Sequence, residues 1–263
     1  MTGGRIEVSG LTVSYRGSAT AVLRGVDLVV DGGSFLALLG PSGCGKSTLL
    51  NTIAGFVRPA AGVVQFNGAP VTGPGAERGV VFQRDVLFPW ASVQTNIGFA
   101  LRAAKVPRAQ RHKRTVELLE DVGLSPSLLG RLPHELSGGM RQRVGIARAL
   151  AGNPEVLLMD EPFGALDALT RSQMQDLVVE LWRRSGTTVV FVTHDVDEAV
   201  RIASSIVVMN QHGVLLDQID NPLPWPRSSG ALAELAGYPA LRRQLHDQLR
   251  PAPEIIATCQ AKP

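Results

Sequence analysis

The chain has 263 residues, 44% of them hydrophobic, which is enough for one large α/β domain with a sizeable core. Its 26 basic and 23 acidic residues leave a formal charge of only +3, too mild to argue for nucleic acid. The two cysteines, Cys44 and Cys259, lie far apart in unlike surroundings, which excludes a disulfide framework and makes a reducing cytoplasm the default.

The first residues, MTGGRIEVSG, lack the basic segment and apolar core of a secretory signal. From residue 5 to 33 the apolar positions alternate, Ile6, Val8, Leu11, Val13 and then Val26, Leu28, Val30, as in antiparallel strands with one buried face. FLALLG (35–40) is a continuous apolar run ending in glycine, the pattern of a buried strand. KSTLLNTIAGF follows with Leu49, Leu50 and Ile53 spaced for one face of a helix. Between them GPSGCGKS (40–47) fits G-x-x-x-x-G-K-[ST] in the strand-to-helix context which that pattern needs. The candidate phosphate cradle is Gly40, Pro41, Ser42, Gly43, Cys44, Gly45, Lys46, Ser47 and Thr48. Its glycines let backbone N–H groups turn inward; Lys46 can neutralise β and γ phosphates, and the Ser47 hydroxyl can ligate Mg²⁺. Cys44 reads as a small loop residue, although a place near a helix start could lower its pKa.

VVQF (63–66) and GVVF (79–82) are further strands, and the stretch 92–152 becomes helical. The segment 108–122 places Val116, Leu119 and Val122 on one face. The basic run RAAKVPRAQRHKR (102–114) reads as the solvated face of a helix that could feel anionic lipid; with no interleaved aromatics, nucleic acid is not expected. In LSGGMRQRVGIARAL (136–150), the Ser-Gly-Gly taken alone would be an N-cap. VLLMDE (156–161) is an apolar strand ending in two carboxylates: Asp160 can hold Mg²⁺ through its water shell, and Glu161 can polarise a water for in-line attack. TVVFVT (188–193), running into His194, and IVVM (206–209) complete the strands, and strands alternating with helices imply a mostly parallel sheet. Residues 231–250 read as helix broken near Pro239, and 251–263 are expected to be disordered. No apolar run approaches the roughly 20 residues of a membrane span.

These stretches, in this order, resemble the ATP-binding subunit of ATP-binding cassette (ABC) transporters, over nearly all of residues 5–218. GPSGCGKST resembles the Walker A loop, VLLMDEP the Walker B strand and LSGGMRQR the family signature. Gln83 in VVFQRD matches the Q-loop, Asp167 in GALDALT the D-loop, His194 in VTHD the switch histidine, and Tyr15 the aromatic that stacks on adenine. Met140 stands where glutamine is commoner in the family, and the N-K-x-D motif of GTPases is absent.

The resemblance implies an α/β P-loop NTPase cassette over 5–230, followed by a C-terminal helical extension, 231–250. Within the cassette it implies a mostly parallel core, an N-terminal antiparallel β subdomain and an inserted helical subdomain at about 92–152. ATP and Mg²⁺ are the implied cofactors, with the metal on Ser47, Asp160 and Gln83, and catalysis by Glu161, His194 and Gln83. A second copy would pair head to tail, its Ser137, Gly138 and Gly139 closing over the γ-phosphate; a helix start with free N–H groups suits an anion. Further implied partners are membrane permease subunits docking near Gln83–Ile97 and, indirectly, a periplasmic or extracellular substrate-binding protein, with the chain peripheral on the cytoplasmic face of the cell membrane. Stretches 72–101 and 160–175 are similar to importers of taurine, aliphatic sulfonates or nitrate, and GPGAERGVVFQ most to the taurine type. An exporter subunit with a separate permease shares these motifs. A non-transport ABC ATPase acting on nucleic acid would typically add a coiled coil or a second cassette, neither of which this sequence has.

Overall fold

The computed structural model describes residues 3–15, 17, 20–83, 87–227 and 230–250; the expected tail, 251–263, lies outside them. In chain order the elements are β1 (Ile6–Val13), β2 (Leu23–Val30), β3 (Phe35–Leu39), α1 (Lys46–Ile53), β4 (Ala61–Phe66), β5 (Ala69–Pro70) and β6 (Arg78–Val81). They continue as α2 (Val93–Ala103), α3 (Arg108–Asp121), α4 (Gly138–Leu150), β7 (Val156–Asp160) and α5 (Ala168–Ser185). The last are β8 (Thr188–Thr193), α6 (Val196–Ile202), β9 (Ser205–Met209), β10 (Leu215–Asp220) and α7 (Tyr238–Leu249).

The first sheet is antiparallel, in the order β2-β1-β4-β5. Its alternation slips between Val8 and Leu11, three positions apart yet both buried, and the pairing register shifts there too. Gly10, at φ +56°, lies within this shift, as at a bulge that re-aims the strand. The second sheet has the order β10-β9-β3-β8-β7-β6 and is parallel except for β10, which pairs antiparallel to β9.

β3, β8 and β9 are buried along their whole length, as strands covered on both faces must be. Successive side chains go to opposite sides. Phe35, Ala37 and Leu39 join the core shared with α2 to α7, while Leu36 and Leu38 join α1 and the antiparallel sheet. The parallel sheet is thus the middle layer of the molecule.

Two expectations change in detail. The buried face of α3 is Thr115, Leu118 and Leu119, with Val122 just beyond, whereas Val116 is only half-buried. Pro239 starts a helix instead of breaking one: it sits in the first turn of α7, where a missing N–H has no helical partner to lose. β10 was not legible in advance, because LLDQID is a half-exposed edge strand with little alternation.

Candidate active site

Register puts the chemistry in one place. Leu39 pairs with Thr193, and Asp160 pairs with Val192, so β3, β7 and β8 end together. Gly40, Glu161 and His194 each follow one of these ends, at the carboxyl edge where open α/β sheets bind ligands.

The loop after β3 depends on glycine for two reasons. Gly43 and Gly45 have φ of +81° and +111°. A Cβ on Gly45 would also lie 2.8 Å from Leu23 Cδ2, and one on Gly40 would lie 2.5 Å from the Met209 carbonyl oxygen. α1 begins at Lys46 with no side-chain cap, so its first N–H groups stay available to an anion. Lys46 is 4% exposed; its Nζ donates to the carbonyls of Gly40 and Pro41, both at 2.8 Å, and lies 3.8 Å from Glu161 Oε1.

Ser47 Oγ donates to Asp160 Oδ1 at 2.9 Å. Burial pushes the Asp160 carboxyl above its usual range, against the lowering effect of the Ser47 hydrogen bond. Cys44 is buried as well, and burial raises its thiol pKa more than nearby Lys46 lowers it, so the lowering that a helix start could cause is not realised. The Tyr15 hydroxyl lies 3.2 Å from Thr48 Oγ1, with the side chain 48% exposed beside the loop.

Glu161 has φ +40°, rare for a residue with a side chain. Two backbone bonds hold it there: its N–H donates to Val192 O at 3.1 Å, and its carbonyl accepts from Gly164 N at 3.2 Å. The turn carries the carboxylate to Lys46 on one side and to His194 Nδ1, 3.0 Å from Oε2, on the other. Such local strain is kept where the surroundings over-determine it.

The Ser-Gly-Gly cradle belongs to a second group, built by α4 and α5. Ser137 caps α4, accepting from Met140 N at 3.3 Å. A Cβ on Gly139 would lie 2.6 Å from Thr170 Cγ2, so only glycine lets the two helix starts meet. Thr170 also donates from N at 2.9 Å and from Oγ1 at 2.7 Å to Asp167, the cap of α5, which lowers the Asp167 pKa. Gly138 and Ser137 remain exposed at the surface.

Gln83 lies exposed just past β6. Beyond it, a cavity of about 430 Å³ is lined by Phe56, Arg78, Phe82, Phe88, Phe99 and Arg148 among others. Phe88 meets Phe99 edge-on at 5.1 Å, and Trp90 is 79% exposed. The fully buried Asn96 fixes this aromatic turn: its Oδ1 accepts from Phe88 N at 2.8 Å, and its Nδ2 donates to Ala91 O at 2.9 Å and Ser92 O at 3.1 Å. Neither Asn96 nor the buried residues Gln175 and Arg201 behind His194 carry a motif that sequence reading could have found. His112, His134, His212 and His246 are exposed, as surface residues. Among the described residues, no helix is long and apolar enough to cross a membrane.

Residues 23–164 match the family model described as ABC transporter. The chain is 51% identical over 204 residues to the taurine import ATP-binding protein TauB of Pseudomonas entomophila, covering 78% of each chain. For the protein of that name from Chromobacterium violaceum the figure is 52% over 200 residues, 76% of each. Among solved structures, cbiO1 of Clostridium perfringens, part of the ABC transporter complex cbiONQ, aligns with a TM-score of 0.74 at 31% identity, over 82% of this chain and 88% of that one. A dimeric ATP-binding cassette in a post-hydrolysis state, bound to ADP and Pi, aligns with a TM-score of 0.73 at 32% identity, over 82% and 98%.

Proposed function

Because the chain belongs to the ABC transporter family, we propose that it is the ATP-hydrolysing subunit of an importer for taurine or a related aliphatic sulfonate. The observation that carries the hydrolytic reading is the convergence of Lys46, Ser47, Asp160, Glu161 and His194 at three aligned strand ends. The cargo rests on the identity to taurine import subunits.

In this reading the loop from Gly40 to Thr48 wraps the phosphates with backbone N–H groups, and Lys46 moves its three donors from carbonyls to phosphate oxygens. Tyr15 covers the adenine. Glu161 orients and deprotonates the attacking water, and His194 holds the γ-phosphate. Ser47 and Asp160, joined by Gln83, are the oxygen donors that fit Mg²⁺, which takes few protein ligands beside phosphate and water; bound, it would supply charge neutralisation at the β and γ oxygens.

The Ser137–Gly139 cradle serves the triphosphate of a second copy, paired head to tail, with Asp167 at the seam. Hydrolysis then removes the group that bridges the halves. The aromatic cavity past Gln83 receives a cytoplasmic segment of the membrane permease, placing the chain peripherally at the inner face of the membrane, and a substrate-binding protein delivers cargo on the other side. Uptake of labelled taurine by a strain lacking this gene, with and without the chain restored, tests the proposal. Unchanged uptake would remove the sulfonate; export of a substrate instead would favour the exporter reading.

A further inference from the structure

Behind His194 runs a line of polar groups, with Thr193, Gln175 and Arg201 buried. The Thr193 hydroxyl donates to Glu198 Oε2 at 2.5 Å and accepts from Asp195 N at 3.0 Å, so one side chain clamps both flanks of His194. Glu198 Oε1 accepts from Gln175 Nε2 at 2.9 Å. Gln175 Oε1 accepts in turn from Arg201 Nη1. Arg201 Nη2 ends the line on α5, at Asp176 Oδ1, 2.7 Å away, and Ser172 Oγ, 3.1 Å away. Gln175 and Arg201 are both 5% exposed.

The direction of each bond is fixed. Arginine can only donate, so Gln175 must turn its oxygen to Arg201 and its amide NH₂ to Glu198. Asp195 N–H occupies one lone pair of Thr193, and because a carboxylate can only accept, the Thr193 hydrogen points to Glu198. Donors therefore converge on both oxygens of residue 198, and only a carboxylate accepts both. A glutamine there would have to give its NH₂ to Thr193 Oγ1, which would reverse that hydroxyl and break the one-way line. Glu198, Thr193, His194 and Glu161 also line one small cavity.

We propose that Glu198 and Thr193 are positioning residues for ATP hydrolysis, holding His194 in register with Glu161 through a one-way line of hydrogen bonds anchored on α5. This rests on the reading of His194 as the γ-phosphate contact. α5 is also the helix whose start packs against Gly139, so the anchor ties the strand-end site to the same body as the cradle.

The test is steady-state Mg²⁺-ATPase of the full chain, with nucleotide affinity measured separately by fluorescent ATP. Thr193→Val, the same shape without the hydroxyl, and Glu198→Gln are each expected to lower kcat about tenfold while KM and affinity stay within about twofold. Thr193→Ser is expected to restore most of the rate. In a His194→Ala background both losses are expected to vanish, because the line acts through that side chain. Equal losses in both backgrounds would mean a merely structural role and would overturn the proposal, as would full activity of Thr193→Val. Should Glu198→Gln fail to fold, Thr193→Val with its serine control decides alone. A His194→Ala chain as fast as wild type would instead sink the underlying reading of His194.

Discussion

His194 Nδ1 lies 3.0 Å from Glu161 Oε2, joining side chains from the ends of two neighbouring parallel strands. The same carboxylate reaches Lys46 Nζ at 3.8 Å through its other oxygen. One carboxylate thus stands between the buried Lys46 and His194, holding one with each oxygen.

Glu161→Gln keeps the shape and the hydrogen-bonding reach but cannot take a proton. Turnover is expected to fall by a factor of about 100 to 10,000, with ATP binding retained and a dimer trapped at millimolar ATP. Lys46→Ala is expected to weaken ATP binding at least about tenfold, since a bond to a charged group contributes about 1.5–3 kcal/mol. Gel filtration with ATP and a binding titration separate the two. A Glu161→Gln chain that stays monomeric would count against the head-to-tail pair.

Gly139→Val would drive a side chain into Thr170, already 2.6 Å from where a Cβ would stand. In a Glu161→Gln background this change is expected to abolish the ATP-dependent dimer. ATP affinity of the monomer is expected to stay within about twofold, because the strand-end group is built from other elements. Light scattering beside a binding titration reads both.

Asn96→Leu is nearly isosteric but strands the N–H of Phe88 and removes the side-chain donor to the Ala91 carbonyl, while Ser92 O keeps its bond from the backbone N–H of residue 96. The Phe88 N–H alone is expected to cost about 1–3 kcal/mol in urea unfolding. The freed aromatic turn should also lose capture of the permease in detergent. Unchanged stability would show that the amide is not what fixes the turn.

Tyr238 gives a pH signature. Burial first, then its hydrogen bond to Asp197, push the phenol up to about 12 from 10.0. The unfolded chain releases this proton near the ordinary value while the folded chain keeps it, so the unfolded state binds fewer protons between the two. Stability from this group is therefore complete below pH 10 and lost as pH rises toward about 12. Thermal melts across that window are expected to fall more steeply for the wild type than for Tyr238→Phe.

The phosphate loop was legible because each part is local: an apolar run, glycines where φ is positive, and a helix carrying Lys46 and Ser47. The convergence of Asp160, Glu161 and His194 was legible only through motif order, since register between distant strands has no local mark. The line from Thr193 to Arg201 was invisible, because its members come from a strand and two helices with no common spacing. Cys44 was half legible. Its position near a helix start was evident, but its burial, which decides the sign of its pKa shift, depends on packing against the antiparallel sheet.

Thr170 both floors Gly139 and completes the Asp167 cap, so positions 139 and 170 form a single heritable unit. A side chain at 139 would require Thr170 to give up its methyl in the same step, and serine is the exchange that does so while keeping both bonds to Asp167.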